Sequence, residues 1–323
     1  MVNLEKKVVG IDVSSKFLTI SFKNAQNQEI VMNIGNLKKD ILSCLKKLDQ
    51  KDYKIVVEAT GSYSSKILYY AYSKGFDVYQ VNPLTIKKYA EVRNLISKTD
   101  DEDAKLIRDF GEKMEIYPFE PKKENLEFLE QELNLLQDLE QEKARFSLKL
   151  KSLRQKARLN KEVVKHYETL INNLQKEIEK LLKRLPKLED EELQENKTLL
   201  KSINGIGEKT SLLLLVATNH FKSFEHSKSV SKYFGVAPRM YHSGNKKITI
   251  GKCRTTKEYI RSILFICSWS AVKCNPQCKA LYERILVKGK CKKLALIAVC
   301  NKLLRQAFGI IKSKNKYQLD FAK

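Results

Sequence analysis

The stretch that decides the fold of the N-terminal part is Lys7-Val8-Val9-Gly10-Ile11-Asp12-Val13, a short apolar run with an acidic residue near its end. Apolar runs of this length are typical of buried strands. Residues 17–22 and 29–34 alternate between apolar and polar side chains, which predicts two further strands. The chain is therefore expected to begin with three consecutive strands of one sheet.

Beyond these strands, helix and strand patterns alternate. A helix is predicted over residues 37–48, a strand over 53–58, a helix over 63–74 and a strand over 76–81. Strands that alternate with helices are typical of a largely parallel sheet. We therefore assign residues 1–115 to an α/β domain.

Residues 116–197 form a second segment, rich in Leu, Glu, Lys and Gln. Apolar residues recur there at spacings of three and four, which predicts two long amphipathic helices, the second of which ends at Pro186. The two stripes consist of Leu126, Leu129, Leu133 and Leu136, and of Val163, Tyr167, Leu170, Leu174, Ile178, Leu181 and Leu185. Both an antiparallel hairpin and an intermolecular coiled coil satisfy this pattern. The acidic run 189–195 is predicted to be a solvated linker.

The third segment, residues 198–323, carries most of the positive charge and is predicted to be mostly helical. From Lys201 to Lys323 the chain has 25 Lys and Arg against 5 Asp and Glu, a net charge of +20, whereas the first 200 residues have 36 against 33. A concentrated positive charge attracts polyanions and releases their counterions on binding. This favours nucleic acid as the partner, although an anionic membrane surface would also attract such a segment.

Composition and patterning exclude several classes of protein. A chain of 323 residues, of which 42% are hydrophobic, can bury sizeable cores and is not a disordered tail. No apolar run approaches the roughly 20 residues that cross a bilayer, and the N-terminus lacks an apolar signal stretch, so we expect a cytoplasmic protein without a membrane partner. Seven cysteines fit free thiols in a reducing compartment, and Cys274 and Cys278 lack a second pair at zinc-binding spacing.

The basic segment opens with Ile203-Asn204-Gly205-Ile206-Gly207-Glu208-Lys209-Thr210. This stretch is similar to a helix-hairpin-helix, in which a tight glycine turn directs backbone N–H groups towards a phosphate. On that interpretation Gly205, Gly207 and Lys209 bind nucleic acid. The alternative is an ordinary glycine turn between two packed helices.

Four carboxylates are candidates for a shared metal site. Asp12 and Glu58 each end an apolar run, where an acid that is not paired costs desolvation energy. The capping-box spacing of residues 99–102 starts a helix at Asp100 and places Asp100 and Asp103 on one helical face. Converging carboxylates repel one another unless a cation neutralises them, and oxygen ligands suit Mg²⁺ or Mn²⁺. The alternatives are a strand-end acid that faces solvent and helix-start acids that the macrodipole stabilises.

Taken together, these residues resemble the DEDD-motif transposases of insertion sequences, relatives of the Piv-type DNA invertases. The matching pieces occur in family order, and they are Gly10-Ile11-Asp12-Val13-Ser14, Glu58-Ala59-Thr60-Gly61-Ser62-Tyr63, Asn82-Pro83, Lys98-Thr99-Asp100 with Asp103-Ala104, Gly205-Ile206-Gly207, and Phe234-Gly235-Val236-Ala237-Pro238-Arg239 leading to Ser243-Gly244. The stretch 251–261 departs from the family pattern, because it keeps Arg261 but lacks the turn glycine.

The resemblance implies a fold class of α/β plus all-α. It implies a RuvC-like, RNase H-type N-terminal domain, a coiled-coil helical middle and a mostly helical C-terminal domain with a helix-hairpin-helix. Asp12, Glu58, Asp100 and Asp103 would hold the metal, and Ser243 would be the catalytic nucleophile. Members of the family are understood to be recombinases guided by a noncoding bridge RNA, and to assemble as oligomers in which one subunit's metal site meets another subunit's serine.

These observations predict a recombinase that cuts and rejoins DNA through a covalent phosphoserine at Ser243. The alternatives are a RuvC-like nuclease that activates water with the same metals and a non-catalytic architectural protein. His242 is a further candidate for the base that activates the serine.

The predicted nucleic-acid surface has two clusters. They consist of Arg239, Lys246, Lys247, Lys252, Arg254 and Arg261 near the serine, and of Lys288, Lys290, Lys292, Lys293, Lys302 and Arg305 further on. Taken singly, each is as well explained by a solvated surface position. Four aromatic residues of the segment are predicted to be core side chains rather than base-stacking platforms, and they are Tyr233, Phe234, Tyr241 and Trp269.

Overall fold

The computed structural model describes residues 6–94, 99–243, 246–252, 255 and 257–318. The chain divides into two compact units, Met1–Pro121 and Lys122–Lys323. The predicted domain boundary at residue 115 lies close to this division. The predicted boundary at residue 197 falls inside a helix, and the helical middle shares one core with the basic segment, so the division into three segments stays a prediction.

The first unit contains a five-stranded mixed sheet. Its strands are β1 (Lys7–Val13), β2 (Phe17–Lys23), β3 (Glu29–Gly35), β4 (Tyr53–Glu58) and β5 (Asp77–Val81). The order is β3-β2-β1-β4-β5; β2 pairs antiparallel with β1 and β3, whereas β4 pairs parallel with β1 and β5. All five predicted strands are confirmed.

The prediction of a largely parallel sheet is wrong for the half that contains β1, β2 and β3. Parallel strands need a crossover of about a dozen residues or more, and the connections between these three strands are much shorter. A mixed sheet followed by a helical remainder agrees with the RNase H-type N-terminal domain that the resemblance implies.

Helices cover both faces of the sheet. They are α1 (Lys38–Leu45), α2 (Ser65–Ser73), α3 (Pro83–Val92) and α4 (Asp100–Lys113), and a 3₁₀ turn spans Gly61–Ser64. Because side chains alternate along a strand, Val9 of β1 packs in the core with α1 and α2, and Val8 packs in the core with α3 and α4. Asp12 has the same parity as Val8, which places it on the α4 face of the sheet.

The second unit begins with an antiparallel helical hairpin of α5 (Glu124–Leu153) and α6 (Lys161–Arg184). An ion pair joins the start of α5 to the end of α6, with 2.5 Å between Arg184 and Glu132. Another joins the end of α5 to the start of α6, with 2.6 Å between Arg154 and Glu168. Of the two arrangements that the sequence left open, the chain therefore adopts the intramolecular hairpin.

A helix, α7 (Glu191–Lys201), occupies most of the acidic run for which a solvated linker was predicted. The Asp190 carboxylate caps it by accepting a hydrogen bond from the Leu193 N–H at 2.9 Å. Leu193 and Leu200 are fully buried. The linker prediction was wrong because acids in a first helical turn are stabilised by the macrodipole, while the leucines supply a buried face.

The remaining elements confirm a mostly helical C-terminal part and add a strand pair that was not predicted. They are α8 (Glu208–Thr218), α9 (Ser227–Tyr233), β6 (Pro238–Ser243), β7 (Lys246–Lys252), α10 (Glu258–Cys274), α11 (Pro276–Val287) and α12 (Lys292–Ser313). One core joins Leu129 of α5, Leu181 of α6 and Leu214 of α8 to Leu303 of α12. Helix α12 is long and apolar enough to cross a membrane, but half of its apolar stretch is buried in this core, as expected for a core helix.

Candidate active site

Asp12 and Glu58 occupy neighbouring strand ends. Strands β1 and β4 pair in parallel with Ile11 opposite Val57, so that the next residue on each strand is one of the two acids. Both acids are partly buried. Because residues in register on parallel strands point to the same face, the two carboxylates extend towards the same side of the sheet.

Two glycines set the direction of α4 across that side. A Cβ on Gly10 would lie 2.4 Å from both the Ala104 carbonyl oxygen and the Arg108 nitrogen. A Cβ on Gly111 would lie 2.9 Å from a methyl carbon of Val8. Helix α4 therefore runs antiparallel to β1 in close contact, and its N-terminal turn lies beside Asp12.

Thr99 starts α4 as predicted from the capping-box spacing. Its hydroxyl oxygen accepts a hydrogen bond from the Glu102 N–H at 3.3 Å, and the helix begins at Asp100. Asp100 is exposed and Asp103 is partly buried. The Asn82 side chain caps α3, the helix that follows β5, by accepting a hydrogen bond from the Leu84 N–H at 2.9 Å.

One cavity of about 860 Å³ collects the four predicted acids, and Asp12, Glu58, Asp100 and Asp103 all line it. The four sequence candidates, which come from two strands and one helix, thus face the same space. Among the described residues, no group of three or more His, Cys, Asp or Glu side chains is arranged so that it could hold a metal ion. Shared coordination by the tetrad therefore stays a prediction. The donor set fits a hard divalent cation, since all four ligands would be carboxylate oxygens.

Basic side chains also line this cavity, and they were not anticipated from the sequence. They are Lys87, Arg93, Lys105 and Arg108. The guanidinium of Arg108 lies 2.5 Å from Glu29, and Lys105 lies 3.4 Å from the same carboxylate. The hydrogen bond from Arg108 lowers the pKa of Glu29. The Asn82-Pro83 pair is a helix-start signal from which α3 could have been predicted, but it does not indicate which residues of the helix line the cavity.

Ser243 is the last residue of β6, and its backbone pairs with Lys246 of β7. The roles predicted for the side chains of this hairpin stay predictions, and they concern Arg239, Tyr241, His242, Ser243, Lys246, Lys247 and Lys252. Lys98, Gly244 and Arg254, which were also singled out, lie outside the described residues. All four acids belong to the first unit, whereas Ser243 belongs to the second.

The glycine turn between α7 and α8 is packed against α10. Gly205 has a φ of +109°, and a Cβ there would lie 2.6 Å from the Ala271 Cβ. The Lys209 ammonium lies 2.6 Å from both Glu140 oxygens, and the Tyr259 hydroxyl donates to the same carboxylate at 2.9 Å. These contacts favour the alternative of a turn between packed helices, and they engage Lys209 inside the unit.

The second basic cluster is exposed. Lys288, Lys290, Lys292, Lys293 and Arg305 make no ion pair with the described residues, while Lys302 is half-buried. Lys292 and Lys293 lie in the first turn of α12, where the macrodipole disfavours cations and no acid offsets them. Their position therefore supports an anionic partner. Arg261, by contrast, is 3.2 Å from Glu258 on its own helix.

The aromatic and cysteine predictions have mixed outcomes. Phe234 is fully buried, and burial raises the pKa of Tyr233 to about 12. Trp269 is 49% exposed, so the prediction that it is a core residue is wrong. The cysteines of the described chain are free thiols, and Cys278 is buried whereas Cys274 is exposed.

Family models match both units of the chain. A model described as a transposase, for DEDD transposases of the IS110 type, matches residues 9–158. A second model, described as the transposase IS116/IS110/IS902 family, matches residues 197–283. The matched ranges contain the four acids and Ser243, respectively.

Individual relatives extend this similarity. The pilin gene-inverting proteins of Moraxella bovis and Moraxella lacunata are each 31% identical over 277 residues, which cover 81% of this chain and 81% of each relative. The transposase for insertion sequence element IS1111A of Coxiella burnetii is 26% identical over 106 residues, which cover 32% of this chain and 29% of that protein. Among solved structures, T. thermophilus RuvC in complex with a Holliday junction substrate is 13% identical and covers 36% of this chain and 100% of that chain, with a TM-score of 0.27.

Proposed function

We propose a covalent mechanism for this chain, which belongs to the IS116/IS110/IS902 family of transposases. The chain is an enzyme that cuts and rejoins DNA. The proposed mechanism uses a covalent bond between Ser243 and a DNA phosphate. Members of this family act on DNA in the cytoplasm. Hydrolysis would lose the energy of the phosphodiester bond to water, whereas a phosphoserine preserves it for resealing. The observation that carries the proposal is the cavity that Asp12, Glu58, Asp100 and Asp103 line together.

The acids of the cavity would hold a divalent cation, Mg²⁺ or Mn²⁺. Asp12 and Glu58 would supply ligands from the sheet, and Asp100 and Asp103 would supply them from one face of α4. When bound, such ions stabilise the negative charge on the attacking and leaving oxygens of phosphoryl transfer. The chain's own contribution is to hold four oxygen donors on rigid elements, because β1, β4 and α4 are packed in one core.

In the cleavage step the Ser243 oxygen bonds to the phosphorus while the bond from phosphorus to a deoxyribose oxygen breaks. The serine proton passes to a base, for which His242 is the sequence candidate, and the leaving oxygen takes up a proton. In the rejoining step a deoxyribose hydroxyl of another strand attacks the phosphoserine and releases Ser243. The number of phosphoester bonds is the same before and after, so no external energy source is needed.

The four acids belong to the first unit and Ser243 to the second, and the family resemblance implies that one subunit's acids act with another subunit's serine. The proposal therefore includes a homo-oligomer, probed by mixing an Asp12→Ala chain with a Ser243→Ala chain. Recovered activity in the mixture is expected if one subunit's acids act with another subunit's serine, whereas an inactive mixture would contradict assembly between subunits. The proposal also includes a guiding RNA, for which sequencing of copurified nucleic acid must find a discrete species.

Ser243→Ala tests the covalent mechanism. Cleavage of a DNA carrying the element's ends and formation of the protein–DNA adduct should both disappear, since the proposal makes the Ser243 oxygen the atom that bonds to phosphorus. Ser229→Ala is the matched control, because Ser229 is an exposed serine of the same unit. Full cleavage by Ser243→Ala would overturn the proposal in favour of a nuclease that activates water.

Asp12→Asn and Glu58→Gln test the role of the cavity. Each keeps the size of the side chain and removes one charge, so cleavage should fall by about 10²-fold or more while the fold is retained. Divalent-cation binding, measured by calorimetry, should weaken in parallel. Intact recombination by both variants would instead indicate an architectural protein that does not perform the chemistry.

A further inference from the structure

Helix α10 carries two opposite stripes with the same spacing. The buried stripe consists of Leu264, Ser268, Ala271 and, just beyond the helix, Asn275. The exposed stripe consists of Ser262, Ile266, Trp269 and Lys273. Both stripes repeat at intervals of four, three and four residues, and the exposed stripe is offset from the buried stripe by two residues. Two residues correspond to about half a helical turn, so the stripes lie on opposite faces of the helix.

The exposed stripe presents two large apolar side chains to solvent. Ile266 is 65% exposed and Trp269 is 49% exposed. Among the described residues, Trp269 makes neither a ring-to-ring contact nor a contact with a cation. Large aromatic side chains that are left open in this way are typical of interaction surfaces.

The charge around the ring favours a polyanion. Lys273, one turn beyond Trp269, is exposed and forms no ion pair with the described residues. The only acid in α10 is Glu258, at the other end of the helix. The surrounding segment from residue 201 to 323 has 25 basic against 5 acidic residues. A second copy seated on this face would bring positive charge against positive charge, which disfavours a second chain as the occupant of this face.

A flat ring beside a cation suits a partner that combines phosphates with flat apolar faces. Nucleobases in an unpaired strand offer such faces, whereas a duplex keeps them inside its stack. We propose that Ile266, Trp269 and Lys273 form a platform on which the bases of an unpaired DNA strand stack. The choice of DNA rests on the proposed function, because cutting and exchanging strands opens the duplex.

Trp269 provides its own probe, since it is the only tryptophan of the chain. The full-length protein is titrated with single-stranded oligo(dT), and tryptophan emission is excited where tyrosine does not absorb. We expect saturable quenching that follows binding measured independently by anisotropy of a labelled oligonucleotide. Lys273→Gln should reduce the slope of log affinity against log salt by about 0.7, the value for one phosphate contact on a single strand.

Substitutions separate stacking from simple apolar contact. Trp269→Leu should weaken oligo(dT) binding by about tenfold, since one base loses its aromatic partner. Trp269→Phe should bind more tightly than Trp269→Leu, because it retains an aromatic face. Val287→Ala is the matched control, because Val287 is an 88% exposed apolar residue of the same unit and should not affect binding. Circular dichroism verifies that all variants are folded.

Four results would overturn the inference. The first is oligo(dT) binding without quenching, and the second is equal affinity of the Trp269→Leu and wild-type proteins. The third is an emission that changes with protein concentration alone, which would identify a second chain as the occupant. The fourth is tighter binding of oligo(U) than of oligo(dT), which would identify RNA. Failure of the proposed function is distinguishable, since a Ser243→Ala protein that still cleaves DNA can still show the quenching.

Discussion

Replacing Gly10 by Ala should damage the candidate active site without changing any of its acids. The added Cβ would lie 2.4 Å from the Ala104 oxygen and the Arg108 nitrogen, and ordinary contacts begin at 3.4 Å. These are backbone atoms of α4, so no side chain can rotate away. We therefore expect α4 to be displaced from β1 by about 1 Å. The expected loss of stability is about 3 kcal/mol, the upper end of the usual cost of overpacking a core.

The displacement should have two measurable consequences. Amide hydrogen exchange in the second half of α4 should accelerate by about 100-fold, since a loss of about 3 kcal/mol lowers the free energy of opening by that amount. DNA cleavage should fall by a similar factor, because Asp100 and Asp103 move with the helix relative to Asp12, and a misplacement of about 1 Å costs about 10²-fold in rate.

The matched control is Gly309→Ala, the same change in helix α12. Its Cβ would have no heavy atom within 4 Å, and Gly309 belongs to the second unit, whereas the four acids belong to the first. Cleavage by this variant should stay close to that of the wild-type protein. If Gly10→Ala kept normal α4 exchange and normal cleavage, the close packing of α4 on β1 would not be what positions the acids.

Four further outcomes are expected. Lys209→Met should lower the free energy of unfolding of the second unit by about 1–2 kcal/mol, measured by Trp269 emission, and should leave the salt dependence of DNA binding unchanged. The double variant Lys292→Gln with Lys293→Gln should leave stability unchanged. It should reduce the slope of log affinity against log salt on duplex DNA by about 1.8. Hydrogen bonds from Lys123 and then Lys222 lower the pKa of Glu192 to about 2. The contribution of Glu192 to stability is therefore complete above the unfolded pKa of about 4.3 and is lost as the pH falls towards 2. Glu192→Gln should cost about 1 kcal/mol at neutral pH and remove this pH dependence of the free energy of unfolding, measured with urea. Arg108→Met should cost about 1–3 kcal/mol in thermal unfolding, because the buried Ser21 hydroxyl loses its 2.8 Å partner, and adding Ser21→Ala should recover part of the loss.

Local signals in the sequence predicted the elements well, because the physics that sets them is local. The apolar runs gave β1 and β4, and the Thr99 hydroxyl starts α4 at the predicted residue. The antiparallel half of the sheet was also encoded in the sequence, because the connections between β1, β2 and β3 are too short for a crossover. Lys87 could not be found in this way, since its position depends on how α3 packs beside the acids.

The exposure of Trp269 shows why pattern alone fails on a helix that is apolar on most of its surface. Periodicity in α10 predicts a helix, but with apolar residues on both faces it does not decide which face is buried. That choice is made by Gly205, whose missing side chain lets the turn before α8 approach Ala271. Because Trp269 is two residues before Ala271, fixing Ala271 inward turns the ring outward. On the proposal made above, the glycine whose turn resembles a phosphate-binding motif acts through α10 instead, by orienting the proposed platform.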